Sequence, residues 1–278
     1  MQNYLTNKFD SNSDTYVSVT DELPLWSAPF GQTLLDTIIM KQNINCLDIG
    51  SGTGFPLIEI AQRLGESCMV YGIEPWIKAV DRIKEKLDVY DINNVKILNI
   101  YAEDLPFDDD SFELIVSNNG INNVQDDKKV LSECFRVMKK GGQFVFTVNL
   151  PGTMSDFYMI FKSVLEEYKL MNEIQKMNEH IYEKRKPIDV LEKMVNDAGF
   201  TITNKIEKSF DMRYIDGTTF FNHFVIRSHF LPLWKEILPR DKVEMIFEQL
   251  ELKLNEFASE KGELKMNVPY VCFDCRKG

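Results

Sequence analysis

The chain has 278 residues, 44% of them hydrophobic, with a formal net charge of −11. That length exceeds one typical domain but falls short of two, and acidic charge without an offsetting basic stripe is the wrong footprint for holding nucleic acid, so small or neutral substrates are expected. Met1 to Asp10 has no apolar signal core and no apolar stretch approaches the ~20 residues that span a bilayer, which predicts a soluble, cytoplasmic protein without a membrane span.

Residues 1–41 show no strand pattern. Trp26, Pro29 and Phe30 precede Leu34, Leu35, Ile38 and Ile39 at helical spacing, predicting an N-terminal arm and one helix. From Cys46 the pattern alternates: strand to 49, helix 56–64 stopped at Gly65, strand 69–73, helix 76–87, strand 95–100, strand 114–117, helix 126–138 and strand 144–148. Strands separated by helices of this length predict an α/β fold, a mostly parallel sheet covered on both faces, with ligands bound beyond the carboxyl ends of the strands. Helices at 157–171 and 187–198, a strand at 200–206, two long helical patterns at 218–237 and 241–261 and a last strand at 265–275 complete the chain. The expected division is 1–41 arm and helix, 42–208 core, 209–264 helical cap insertion and 265–278 terminal strand of the core.

The five cysteines lie far apart, and three of them fall inside expected strands or a helix. Reduced core thiols are expected. Cys272 and Cys275 form a C-x-x-C within an apolar run, with no second pair elsewhere, so no metal site is expected.

Chemistry concentrates after the first strand. Gly50, Gly52 and Gly54 alternate behind Cys46-Leu47-Asp48-Ile49, and Glu74 closes the next apolar run. A strand feeding exposed loop amides, with a carboxylate one strand later for ribose hydroxyls, is a nucleoside-cofactor arrangement. A dinucleotide fingerprint would place a third glycine where Phe55 stands, and that ring argues against a pyrophosphate cradle. The loop suits a cofactor without phosphate, its amino-acid end along the backbone and its ammonium near Asp48. S-adenosylmethionine is such a ligand.

The stretch Leu47-Asp48-Ile49-Gly50-Ser51-Gly52-Thr53-Gly54 closely resembles the first motif of class I S-adenosylmethionine-dependent methyltransferases. Tyr71-Gly72-Ile73-Glu74-Pro75 is similar to the second strand with its ribose-binding acid. Ala102-Glu103-Asp104-Leu105-Pro106-Phe107 and Ser111 to Asn118 resemble the adenine-contacting loop and fourth strand of the branch that includes the ubiquinone and menaquinone biosynthesis methyltransferases. Leu131 to Met138, Lys139-Lys140-Gly141-Gly142 and Phe144 to Val148 are similar to the helix, turn and fifth strand that follow. The resemblance runs from Cys46 to Leu150. It implies a Rossmann-like seven-stranded sheet whose seventh strand lies antiparallel between the fifth and sixth, and methyl transfer from S-adenosylmethionine to a small-molecule acceptor. Two departures stand out: Tyr101 lies near a position where the family commonly has an adenine-binding aspartate, and Asn118-Asn119-Gly120-Ile121-Asn122-Asn123 replaces a histidine-bearing segment.

Asp48, Gly50, Ser51, Gly52, Glu74, Pro75, Ala102, Glu103 and Asn118 are therefore the expected cofactor residues. Methyl transfer is in-line displacement at a pre-activated carbon, so alignment and water exclusion matter more than acid–base groups. If the acceptor is an alcohol or phenol, one base is needed, and His223 is the candidate because it lies in the aromatic-rich insertion; His180 and His229 are read as surface or structurally satisfied residues. Trp26, Phe30, Asn119, Phe220 and Phe224 are the candidate acceptor contacts. Two other readings share the opening pattern. A nicotinamide-dependent oxidoreductase fails on Phe55 and lacks a catalytic Tyr-Lys or Cys-His placement; a non-catalytic S-adenosylmethionine-binding protein would keep the fold without the reaction.

Overall fold

A computed structural model of the protein describes residues 3–6, 10, 12–22 and 25–278. The other positions of the expected arm 1–41 lie outside the described residues. Helices α1 (Asn3–Thr6), α2 (Asp14–Glu22) and α3 (Ala28–Thr37) precede β1 (Asn45–Ile49), α4 (Leu57–Leu64), β2 (Met69–Ile73), α5 (Ile77–Tyr90), β3 (Val95–Leu98) and β4 (Phe112–Asn118). Then come α6 (Asp127–Val137), β5 (Met138–Asn149), α7 (Ser155–Glu167), α8 (Met171–Lys184), α9 (Ile188–Asp197) and β6 (Phe200–Tyr214). The chain finishes with α10 (Gly217–Asn222), α11 (Leu231–Glu236), α12 (Val243–Lys261) and β7 (Leu264–Lys277). The seven strands form one sheet in the order β3-β2-β1-β4-β5-β7-β6, and β5 to β7 is antiparallel. The placement of the seventh strand is the one the resemblance implies.

Two compact units divide the chain. The sheet unit comprises Asp10–Asn149, Lys186–Lys208 and Tyr270–Gly278. Its core forms because α4 places Leu57, Ile60, Ala61 and Leu64 on one face, the i, i+3, i+4, i+7 stripe of a buried helix, against Cys46, Val70, Leu114, Val116 and Val145 of the strands. Leu34 and Leu35 of α3 join the same cluster. Asp126 caps α6 by accepting from Lys129 N at 3.0 Å. Because β1 pairs in parallel with both β2 and β4, the ends of these strands and the loops after them share one edge of the sheet.

The second unit takes the described part of Met1–Phe9 with Leu150–Arg185 and Ser209–Pro269. An aromatic cluster fills it. Phe157 stacks on Trp234 with ring centroids 4.1 Å apart, and Phe220, Phe221 and Phe247 close around them. All five cysteines are buried and free.

Several elements differ from the sequence expectation. The pattern at 218–237 is not one helix: α10 ends where His223 N bonds to Phe220 O, Ile226–Phe230 forms a π-helical turn, and α11 restarts with Pro232 in its first turn. The strand expected at 200–206 runs on to Tyr214, and most of it is exposed. It is the last strand in the sheet order, with one paired edge, and its apolar alternation of Phe200, Ile202, Ile206, Phe210, Met212 and Tyr214 is interrupted by the exposed Asn204 and Lys208, which hid its length. Strand β5 begins at Met138, absorbing the expected Lys-Lys-Gly-Gly turn as an irregularity between the Phe112 and Leu114 pairings. Helix α8 carries no strong signal in the sequence because only Glu173, Ile174 and Met177 are buried.

Candidate cofactor site

The site grows out of the end of β1. Gly50 N and Ser51 N both donate to Ile73 O at the end of β2, at 2.9 and 3.1 Å, which folds the loop back over the sheet edge. Gly50 sits at φ +77° and Gly52 at φ +54°, a left-handed backbone that a side chain would strain. Apart from Gly52 and its chain neighbours, no heavy atom of the described residues lies within 4 Å of where a Cβ on Gly52 would stand, so the loop backbone is bare there. Ser51 is buried because Gly72 makes room for it: a Cβ at Gly72 would stand 2.7 Å from Ser51 Oγ.

Two carboxylates lie under this loop. Glu74 Oε2 accepts from Gly52 N at 2.8 Å and Oε1 from Trp76 N at 2.9 Å, while Asn99 Nδ2 donates to both the Glu74 and Pro75 carbonyls at 2.9 Å. Burial raises the Glu74 pKa, and the two backbone amides oppose that rise. Asp48 is fully buried, and neither of its carboxylate oxygens has a hydrogen-bond partner among the described residues. The Ser51 hydroxyl donates to the Asp48 main-chain carbonyl, at 3.3 Å. Burial lifts the Asp48 pKa from 3.8 to about 7, the neighbouring Ser51 hydroxyl works against the shift and the Glu74 charge adds to it. An orphaned buried acid beside a second acid favours a cationic group and repels a pyrophosphate. The bare backbone of the loop and the unpaired acid fit the adenosyl sulfonium cofactor expected from the sequence.

The flanking elements brace the loop. Lys86 on α5 donates to Thr53 O at 2.8 Å and pairs with Asp21 of α2, which also takes Arg82 Nε at 2.9 Å. Burial would raise the Asp21 pKa, but the two cations outweigh it and hold the carboxyl below its ordinary value. Nothing in the sequence pointed to Lys86, because its partners lie 33 and 65 residues away. Gly31 of α3 is a second missed residue: a Cβ there would stand 2.2 Å from Phe55 Cε1 and 3.2 Å from Asn118 Nδ2.

Other expected residues serve the framework in this structure. Asn118 donates from Nδ2 to Ser27 O at 3.1 Å and accepts at Oδ1 from Thr147 Oγ1 at 3.0 Å. Asn119, at φ +55°, donates its backbone N–H toward Thr147 and accepts at Oδ1 from Asn149 N at 3.1 Å. Glu103 Oε1 accepts from Gln125 N and Asp126 N, securing the approach to α6, and the neighbouring Ala102 is buried. Phe30 is wholly buried between the half-buried Trp26 and Tyr270, with centroids 5.5 and 4.8 Å away.

The remaining expected residues belong to the other unit. Phe220 has no exposed surface and packs edge-on against Tyr214, so it is part of the aromatic core; Phe224 is half-buried. His223 Nδ1 is buried without a partner among the described residues, its ring 5.3 Å from that of Tyr214, and burial lowers its pKa. His229 Nδ1 meets Ser228 Oγ at 2.6 Å.

Comparison with known proteins places these features in context. A family model described as a methyltransferase domain matches residues 40–214. The demethylmenaquinone methyltransferase of Listeria welshimeri is 29% identical over 178 residues, covering 61% of this chain and 75% of its own. The ubiquinone/menaquinone biosynthesis C-methyltransferase of Rickettsia prowazekii is 30% identical over 167 residues, 56% of this chain and 66% of its own. Among solved structures, the YcgJ protein of Bacillus subtilis superposes with a TM-score of 0.58 at 17% identity, covering 90% of this chain and 98% of that one. Geranyl diphosphate C-methyltransferase of Streptomyces coelicolor does so with 0.56 at 16% identity, over 99% and 87%. At such identities the structures establish the shared fold.

Proposed function

We propose, from the premise that the chain belongs to the methyltransferase domain family and is an S-adenosylmethionine-dependent methyltransferase, that Asp48, the Gly50–Gly52 backbone and Glu74 hold the cofactor and that the acceptor is a small molecule. The observation that carries the cofactor assignment is the unpaired, buried carboxylate of Asp48 directly before a loop that Glu74 fixes through Gly52 N.

Bound S-adenosylmethionine supplies a methyl group already activated on a sulfonium. The protein's task is to position and to exclude water. Asp48 offers its negative charge to the cofactor's ammonium, and its own desolvation cost is relieved on pairing. The loop amides around Gly52 take the amino-acid end. Glu74 keeps the loop in shape and presents its remaining lone pairs to the ribose hydroxyls, and Pro75 provides an apolar edge beside them. Asn118 and Glu103 act through the loops they brace. For an acceptor whose reacting atom bears a proton, His223 is the base we propose.

The net charge of −11 and the names of the curated relatives support a small, apolar, ring-bearing acceptor over nucleic acid. A cytoplasmic location belongs to the same proposal; no helix among the described residues is long and apolar enough to cross a membrane. Incubating the protein with methyl-labelled cofactor and a fractionated cell extract tests the acceptor class. Label is expected in an organic-soluble small-molecule fraction. Label confined to protein or RNA would overturn it.

A further inference from the structure

Arg185, immediately after α8 in the aromatic unit, is 3% exposed. A guanidinium keeps its charge at every pH at which a protein folds, so its burial calls for a compensating partner. No carboxylate among the described residues pairs with it. Its Nη1 donates to Tyr158 Oη at 3.1 Å, and the guanidinium carbon lies 5.4 Å from the centroid of that ring. Tyr158 Oη also accepts from Trp234 Nε1, at 2.9 Å, so the phenol that orients the guanidinium is itself fixed by a fully buried indole.

Among the described residues, the opposite side of the group is unengaged. Nε is buried without a hydrogen-bond partner, and Nη2 donates to none of the described residues. These two nitrogens share one edge of the planar guanidinium, the edge that a carboxylate or a phosphate grips through two parallel hydrogen bonds. The surrounding field has the matching sign. His180, one turn earlier on α8, has its pKa lowered to about 4 by burial first and then by the charges of Arg185 and Lys184, with Glu183 opposing only in part.

We propose that the Nε–Nη2 edge of Arg185, oriented by Tyr158 and Trp234, is a binding site for a small oxyanion, the carboxylate or phosphate group of an organic ligand. The site is independent of the methyl-transfer reading.

The test uses the whole protein with arginine Nε labelled by ¹⁵N, titrated separately with inorganic phosphate, acetate and chloride. The Arg185 Nε–H resonance is expected to move saturably at millimolar phosphate or acetate and to stay still in chloride; which of the two binds more tightly identifies the group. Arg185→Gln should weaken that anion's binding at least tenfold, abolish its effect on Tm, and leave affinity for S-adenosylhomocysteine unchanged. An Nε–H signal indifferent to phosphate and acetate would overturn the site, whether or not the variant folds. So would equal anion stabilisation of wild type and Arg185→Gln.

Discussion

Glu74 Oε2 and Gly52 N, separated by 22 residues in the chain, are 2.8 Å apart, and the bond makes the carboxylate a structural member of the loop. Glu74→Gln leaves one acceptor oxygen where two backbone donors, Gly52 N and Trp76 N, now bond. One buried N–H then meets an NH₂ group, at a cost of about 2 kcal/mol of stability. Affinity for S-adenosylhomocysteine, measured by calorimetry, should fall by roughly tenfold or more because loop and ribose contacts are lost together. Wild-type affinity in the variant would remove Glu74 from the site.

Asp48 makes the protein's behaviour depend on pH. Its folded pKa of about 7 lies above its ordinary 3.8, so its contribution to stability is fully present below the lower value and is lost as pH rises through about 7. Asp48→Asn should therefore be more stable than wild type at pH 8, by about 2 kcal/mol, with the gap closing near pH 4. With Asp48 holding the ammonium as proposed, S-adenosylhomocysteine pairs with the ionised acid, so wild-type affinity should rise from pH 6 to 8 with release of a proton, seen as a buffer-dependent binding enthalpy. The variant should bind at least about tenfold more weakly at pH 8 and show no proton release.

Gly31→Ala tests the support beneath the loop. The new methyl would stand 2.2 Å from Phe55 Cε1, and the ring has to shift. Overpacking of this kind costs roughly 1–3 kcal/mol, read as a lower Tm. Because Phe55 follows Gly54, a several-fold loss of cofactor affinity should accompany it, whereas a loss of Tm with affinity intact would uncouple α3 from the loop.

His223→Gln isolates the proposed base. With an acceptor that must lose a proton, kcat should drop on the order of a hundredfold and the acidic limb of the pH–rate profile should disappear, with S-adenosylhomocysteine affinity unchanged. An unaltered profile would assign His223 to packing against Tyr214 alone.

The legible parts of this protein were those written in local periodicity. Leu57, Ile60, Ala61 and Leu64 announce α4 by spacing, and the alternating glycines announce the turn after β1 because a left-handed backbone leaves its residue type behind. Long-range bonds leave no such trace. Asn118, expected at the cofactor, donates to Ser27 and accepts from Thr147, partners 91 and 29 residues away, and Phe220 is enclosed by the aromatic core. Edge strand β6 ran past its expected end because the exposed Lys208 breaks the apolar alternation that Phe210, Met212 and Tyr214 resume.

Sequence alone determined the alternating α/β order and the methyltransferase motifs, because backbone conformation and helix or strand period act on neighbours along the chain. Tertiary structure alone decided that the Asp48 carboxylate has no partner and Arg185 one unpaired edge among the described residues, that Lys86 holds Thr53 and that Gly31 seats Phe55. Each of these depends on burial and on partners distant in sequence, and desolvation has no local signature.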